Sequence, residues 1–318
     1  MIKKYTYIKT PRIKELITRI NTYKDLFDKI PKSSRIQENL LRRSTLKSAL
    51  YSARIEGNTL EFSEVEKGFS KTQEKKEIFQ ILDGLKFIHS QKGKITKQFI
   101  CQIHEIVMDG LTTELGRFRS ESSAIFNTAG VAIYITPMPE KLPEFINYSN
   151  KIDTPLSNIA IAHFAFEKTH PFLDGNGRVG RILMNWHLKR LGFEFAGLIS
   201  VEEYLENNRD KYYSTLAMEG FDITEFVEFI LEAISESARK VIPELEESKE
   251  EKIEDALLPR RAEILAIVRD HQMISFDQIR RRFLLVNSRM LHYDLQDLIK
   301  KNLIRKLGIT RGAVYVPK

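Results

Sequence analysis

The 318-residue sequence holds one cysteine, Cys101, and one tryptophan. A single thiol excludes an intramolecular disulfide framework and any zinc site built from clustered cysteines. No apolar run approaches the ~20 residues needed to cross a bilayer. The opening MIKKYTYIKTPRIKEL has no apolar stretch like that of a secretory signal. These absences predict a cytoplasmic protein with no membrane partner. The sequence also shows no fixed-period repeat and no low-complexity tract. What is present is 42% hydrophobic and 29% charged, the make-up of a globular protein, and the length suits two or three domains.

Charge is unevenly placed. The formal net charge is +7, yet residues 1–47 carry +9, residues 259–318 carry +8 and the middle carries −10. Such asymmetry suggests that an end meets a polyanion, or that the ends meet the acidic middle. Apolar spacing predicts helices over 35–55, 74–91, 96–109, 140–152, 156–168, 178–191, 201–218 and 222–240. Between about 117 and 137 two β-prone runs flank Asn127–Gly130, which predicts a hairpin or flap. Residues 244–255 hold seven carboxylates and two lysines, the pattern of a solvated helix or linker.

The densest chemistry lies in His170-Pro-Phe-Leu-Asp-Gly-Asn-Gly-Arg-Val-Gly-Arg181, a loop running into a helix. Gly175 and Gly177 allow backbone N–H groups to converge, and the helix N-terminus adds a positive dipole end, making an anion site. Arg178 and Arg181 share a helix face in the first turn, where cations oppose the macrodipole unless a bound polyphosphate supplies negative charge. Asp174 offers a hard oxygen for Mg²⁺. His170, with an ordinary pKa near ~6.5, can take a proton. Gly175-x-Gly177-x-x-Gly180 also matches a dinucleotide fingerprint, but that fingerprint needs a preceding strand, and Asn158–Lys168 reads as helix. A structural histidine and a charge-paired structural turn are the bland alternatives.

HPFLDGNGRVGR resembles the Fic family signature, HPFx[DE]GNGRxxR, at every fixed position. The flanking order is similar too: Ile103-His104 on a helix, Gly116-Arg-Phe-Arg119, a flap ending in prolines, and Arg209-Asp-Lys-Tyr-Tyr213. The resemblance covers roughly residues 45–235. It implies a mainly α fold, an all-helical core with a small β-hairpin flap, and transfer of AMP from ATP to a hydroxyl of a target protein with Mg²⁺. It further implies that His170 deprotonates a Ser, Thr or Tyr hydroxyl and that Asp174 holds Mg²⁺. Gly175, Asn176 and Gly177 would line the anion hole, with Val179 and Gly180 in the same nucleotide-binding segment. Arg178 and Arg181 would hold the outer phosphates. Tyr212 would face the base or sit in the core, and Phe172 would anchor the loop. Self-modification, a homodimer, removal of AMP and transfer of another phosphate-containing group are also within the family's range.

Upstream, Ser52-Ala-Arg-Ile-Glu56-Gly57 resembles the Fic inhibitory motif. Ser52 and Glu56 are four apart, and Glu56 stands at a helix C-terminus, where the dipole disfavours a carboxylate unless a cation relieves it. The family pattern names that cation as Arg181. Glu56 would then deny Arg181 to the γ-phosphate. His104-Glu105 begins like the zinc motif HExxH, but Met108 stands where the second His would be, so no metal site is expected there.

Residues 260–271, 275–283 and 287–301 predict three short helices, followed by a hairpin of Leu303–Leu307 and Ala313–Val316. This resembles a winged helix-turn-helix domain. Arg280–Arg282 and the local +8 suit DNA phosphates, while Asp294 and Asp297 would repel them if they faced outward. Target binding and dimerisation stay open for this unit. The expected organisation is thus an N-terminal helical region (1–90), a catalytic core (91–240), a charged linker or helix (241–258) and a winged helix (259–318). The leading expectation is a self-inhibited adenylyltransferase. The other is a DNA-binding regulator whose Fic portion senses nucleotide.

Overall fold

Helix α1 (Pro11–Lys29) begins behind Thr10, whose hydroxyl accepts the Ile13 N–H at 3.1 Å. It buries Ile13, Leu16, Ile20 and Phe27. This helix is additional to those expected above, although its apolar residues fall at helical spacing. The computed structural model describes residues 5–29, 34–66, 72–120, 123–126, 132–136, 141–153, 155–250, 259–284, 286–308 and 313–318. Two units divide the chain, Met1–Pro243 and Glu244–Lys318. The N-terminal helices and the expected catalytic core therefore belong to one unit.

In the first unit α1 is followed by α2 (Ser34–Ile55), α3 (Phe62–Glu66), α4 (Gln73–Ser90) and α5 (Lys97–Met108). Thr96 caps α5 by accepting the Phe99 N–H, and its apolar side buries Phe99, Ile100, Ile103 and Val107. Next come the antiparallel strands β1 (Ser123–Phe126) and β2 (Ala132–Thr136). They pair Ser123 with Thr136 and Ile125 with Tyr134, with a register shift at Phe126. The hairpin expected here is present, and its Asn127–Gly130 turn lies outside the described residues.

Helices α6 (Leu142–Ser149), α7 (Ser157–Thr169) and α8 (Asn176–Arg190) follow. Both α7 and α8 are buried on nearly every side, including Phe164, Phe166, Val179, Ile182 and Trp186. A helix apolar all round belongs in the middle of a core. The loop joining these two helices is consequently fixed at both ends. The single helix expected over 201–218 is instead two, α9 (Val201–Asn207) and α10 (Arg209–Leu216), because Asn208 leaves helical backbone at φ −122°, ψ 37°. Asn and Asp favour such breaks because their side chains compete for the backbone. The N-terminal tail also packs onto this unit. Thr6 exchanges backbone bonds with Phe221 and Ile223, and the Tyr5 ring meets Phe164 edge-on at 5.0 Å.

Helix α11 (Thr224–Glu250) carries Pro243 inside it. Proline has no N–H for the carbonyl four residues back, so the ladder is weakened at the unit boundary. The acidic run from Glu244 is helical as far as Glu250, and 251–258 lie outside the described residues.

The second unit holds α12 (Pro259–His271), β3 (Ile274–Ser275), α13 (Phe276–Arg282), α14 (Ser288–Lys300), β4 (Ile304–Leu307) and β5 (Val314–Pro317). Its sheet order is β3-β5-β4, all antiparallel. The three helices and the hairpin match the expectation, and β3 adds a short third strand. Ser275 and Gln278 form a reciprocal capping box on α13, and Asn287 caps α14. Leu291, Leu295 and Leu298 anchor α14 against Ile264, Val268 and Ile279. Burial of each leucine contributes about 1.5–3 kcal/mol.

Candidate active site

The loop between α7 and α8 is held by the side chains of Arg119, Phe172, His104 and Asn176 before any ligand is considered. Helix α7 ends at His170, whose backbone is left-handed (φ 44°, ψ 60°). A non-glycine residue there is strained, so surrounding bonds must hold it. Arg119 supplies them. Its Nε donates to the His170 carbonyl at 2.6 Å, its Nη2 donates to the Thr169 carbonyl at 3.2 Å, and its backbone N–H reaches the Pro171 carbonyl.

Phe172 is fully buried and stacks on the His104 ring at 3.9 Å. His104 donates from Nε2 to the Asp174 carbonyl and accepts the Gly116 N–H at Nδ1. Both ring nitrogens of His104 are thus engaged in holding the loop. Asn176 joins itself to Phe172 by two reciprocal 2.8 Å bonds. Its side chain staples the loop, so only its backbone N–H is available to an anion. Gly175 is left-handed (φ 77°), and a Cβ there would meet Met108 Sδ at 2.6 Å. Glycine is required twice over at that position.

The first bond of the α8 ladder runs from the Val179 N–H to the Gly175 carbonyl. The N–H groups of Asn176, Gly177 and Arg178 therefore have no acceptor within the helix, which is the anion-binding arrangement of a helix N-terminus. Val179 is buried core. Gly180 is pressed against the Glu167 carboxylate, which a Cβ there would strike.

His170 stands at the mouth of this cradle. Burial pushes its pKa down to about 4, below the ordinary value expected from sequence. The ring is thus neutral near pH 7. Because a carbonyl only accepts, the 3.3 Å contact with the Glu167 carbonyl places the proton on Nδ1. Nε2 is left as the proton acceptor. The Asp174 side chain is 60% exposed, and its Oδ1 accepts the Gly175 N–H.

The two arginines do different things. Arg178 lies against Met108 Sδ and pairs with Glu77 at 3.4 Å, with Asp174 at 3.9 Å. Arg181 is only 1% exposed and points to α2. Its Nε donates to Ser52 Oγ at 2.9 Å, and its Nη2 donates to the Ser52 carbonyl at 3.0 Å and to Glu56 Oε1 at 2.8 Å. Burial alone would raise the Glu56 carboxyl, but the Arg181 charge and hydrogen bond outweigh it and hold the carboxyl below its usual range. Burial alone would lower Arg181, and Glu56 more than offsets it. The same carboxylate oxygen is 2.5 Å from where a Gly177 Cβ would be. Glu56 therefore lies directly over the first turn of α8.

With this geometry in view, residues 94–188 match the Fic/DOC family. The chain carries a Fic domain. It is 29% identical over 247 residues to "Protein adenylyltransferase Fic" of Nematostella vectensis, covering 69% of this chain and 55% of that one. It is 30% identical over 235 residues to the protein of the same name from Drosophila erecta, covering 66% and 44%. The chain spans about half the length of these curated relatives. Among solved structures, a Fic family protein from Desulfovibrio desulfuricans G20 shares the fold over 98% of this chain and 97% of its own, with TM-score 0.72 at 22% identity. Fic-1 of C. elegans covers 74% and 73%, with TM-score 0.61 at 22% identity.

Around the Fic loop, sequence reasoning assigned no bracing role to Arg119 and did not single out Glu77 or Glu167. Glu167 is 7% exposed, and burial pushes its carboxyl up to about 7. Its position three residues before His170 was visible, but its burial was not. Tyr212, for which two places were open, is in the core at 1% exposure, its hydroxyl 2.8 Å from His163 Nε2. Its neighbour Tyr213 is 42% exposed and donates to the Ile55 carbonyl at the end of α2.

Proposed function

We propose that this chain is a self-inhibited protein adenylyltransferase that uses ATP to modify a Ser, Thr or Tyr hydroxyl of a target protein. The observation that carries the reading is the Arg181–Glu56–Ser52 contact laid across a complete anion cradle. The naming of the relatives as protein adenylyltransferases supports it. The target hydroxyl would lose its proton to His170 Nε2 as its oxygen attacks the α-phosphorus. The bond from that phosphorus to pyrophosphate breaks, and pyrophosphate leaves. The N–H groups of Asn176, Gly177 and Arg178 would meet the charge that develops on the phosphates. The β1–β2 hairpin would align an extended target segment by strand-like pairing.

Mg²⁺ fits this site through Asp174 alone. Among the described residues no group of three or more His, Cys, Asp and Glu could hold a metal. One exposed carboxylate is the donor set Mg²⁺ uses when nucleotide phosphates supply other ligands. When bound, the ion would neutralise phosphate charge.

Self-inhibition follows because Arg181 has its Nε and Nη2 committed to α2 while Glu56 covers Gly177. A γ-phosphate would have to displace Glu56 to reach Arg181. Self-modification and a homodimer belong to the same reading. We read the C-terminal unit as a winged helix from its element and strand order. No helix among the described residues is long and apolar enough to cross a membrane.

The test is transfer from α-labelled ATP by the wild type, Glu56→Gly and Glu56→Gly/His170→Ala, with mass spectrometry of the modified peptide. Glu56→Gly should label at least tenfold faster than wild type, with the mass of AMP, and the double variant should not label. Equal labelling by wild type and Glu56→Gly would remove the brake. A phosphate or other adduct would replace AMP as the group transferred.

A further inference from the structure

Both acids of helix α14, Asp294 and Asp297, are neutralised by ion pairs: Asp294 is buried, and Asp297 is partly exposed at 23%. Asp294 is 1% exposed and receives Arg260 Nε at 2.5 Å and Arg261 Nε at 2.8 Å. Asp297 takes Arg261 Nη1 at 2.7 Å and Lys301 at 2.9 Å. Burial of Asp294 would raise its carboxyl, but the hydrogen bonds and charges of Arg260 and Arg261 outweigh it and hold the carboxyl below its ordinary range. The residues left outward are Arg289, Met290, His292, Tyr293, Gln296 and Lys300. They are spaced to form one continuous strip.

Exposed cations also stand in the element before α14 and in the strand after it in chain order. Arg280 and Arg281 end α13, and Arg305 and Lys306 lie on β4, all exposed. Among the described residues none of these four is in an ion pair. Of the other acids in the unit, Glu263, Asp270 and Asp277 sit on α12 and in the first turn of α13, and seven more lie in the run 244–255 that precedes α12 in the chain. Arg260 and Arg261 thus cancel the charges that would have opposed a polyanion at α14.

We infer that the outward face of α14 enters the major groove of duplex DNA, with Arg280, Arg281, Arg305 and Lys306 on the flanking phosphates. The inference rests on this face and is independent of the transfer reaction above. A B-form major groove admits an α-helix, and Arg and Gln are the side chains that pair bidentately with guanine and adenine edges. Arg289 and Gln296 are the candidates for that reading. Phosphate neutralisation on both sides would set the register. An A-form RNA duplex has too narrow a major groove for a helix, so DNA is the fitting duplex.

The experiment is fluorescence anisotropy of the full chain with a mixed-sequence 30-base-pair DNA over a series of salt concentrations. Four phosphate contacts should give a slope of log affinity on log salt of about −3 to −4. Arg280→Gln/Arg281→Gln should lower affinity at least tenfold and flatten the slope by about 2. Arg305→Gln/Lys306→Gln should do the same, which guards against misfolding of one variant. Arg289→Ala should weaken binding about tenfold with a smaller change in slope. Lys86→Gln/Lys92→Gln, an equal charge change in the other unit, should stay within twofold of wild type. An RNA duplex of the same sequence should bind at least tenfold more weakly. No salt-dependent DNA binding, equal RNA binding, or an equal loss in the control would each overturn the inference. Absence of DNA binding together with self-association abolished by Arg289→Ala would assign the face to protein contact instead.

Discussion

Arg181 Nε donates to Ser52 Oγ at 2.9 Å, and both residues are 1% exposed. The cation expected to grip substrate is thus tied by a side chain as well as by the Glu56 charge. Losing the Ser52 hydroxyl leaves a buried donor without a partner, which costs about 1–3 kcal/mol. Ser52→Ala should lower stability by that amount in a denaturant melt. It should also raise transfer less than Glu56→Gly does, because Glu56 still holds Nη2. Equal transfer by the two variants would show that Glu56 does not act through Arg181.

Gly175→Ala places a Cβ 2.6 Å from Met108 Sδ at a left-handed position. The backbone penalty of about 1 kcal/mol adds to an overpacking cost of about 1–3 kcal/mol. A loss of about 2–4 kcal/mol should appear in chemical denaturation. A change within 0.5 kcal/mol, near the ~0.5 of an ordinary surface substitution, would mean the loop tolerates another backbone path.

Arg119 donates to two successive carbonyls on either side of the His170 backbone strain. Arg119→Ala should cost about 1.5–3 kcal/mol, the worth of charged hydrogen bonds. In the Glu56→Gly background it should also lower the transfer rate at saturating ATP while nucleotide affinity stays within about threefold. Arg119→Lys should restore little, since an ammonium lacks the planar fork that reaches both oxygens. Full recovery by lysine would reduce Arg119 to a bulk positive charge.

Glu167 gives a pH signature of defined sign. Its folded pKa is raised by burial to about 7, so the folded state holds the proton more tightly than the unfolded chain. That contribution is complete below the ordinary carboxylate pKa and is lost as pH rises toward 7. The rise corresponds to about 3 kcal/mol at most. The neighbouring His170 and His163, pushed down by burial to about 4 and about 3, act with the opposite sign. The difference between wild type and Glu167→Gln isolates the glutamate. Glu167→Gln should gain stability relative to wild type between pH 5 and about 7. A pH-independent difference would place the Glu167 carboxyl in its ordinary range.

Much of this was legible in local sequence. The twelve residues from His170 to Arg181 announce a loop, a helix N-terminus and a set of charged groups, and the structure places them together. Ser52 and Glu56 were separated from Arg181 by more than a hundred positions, and only the resemblance joined them. What stayed hidden was tertiary. Whether Arg178 would find Glu77, whether Asn176 would point inward, and how deeply Glu167 would sink all depend on which helices pack together. Helix α1 was legible by spacing and still escaped attention, because its charged residues outnumber the four that it buries. In the second unit, the sequence placed Asp294 on the helix but could not say which way it faced. The answer came from two arginines 33 and 34 residues upstream.

Arg181 also narrows how such a protein could vary. On the proposed reading one side chain would serve both the restrained and the working state, so a substitution there should remove restraint and activity together. Gly177 is constrained in the same way, since Glu56 lies over it now and phosphate would lie over it in use. On the same reading, restraint would be retuned separately from the other partner, along the Ser52–Glu56 face of α2. Lineages that loosen or tighten control should therefore diverge in that short helix end while the His170–Arg181 loop stays still.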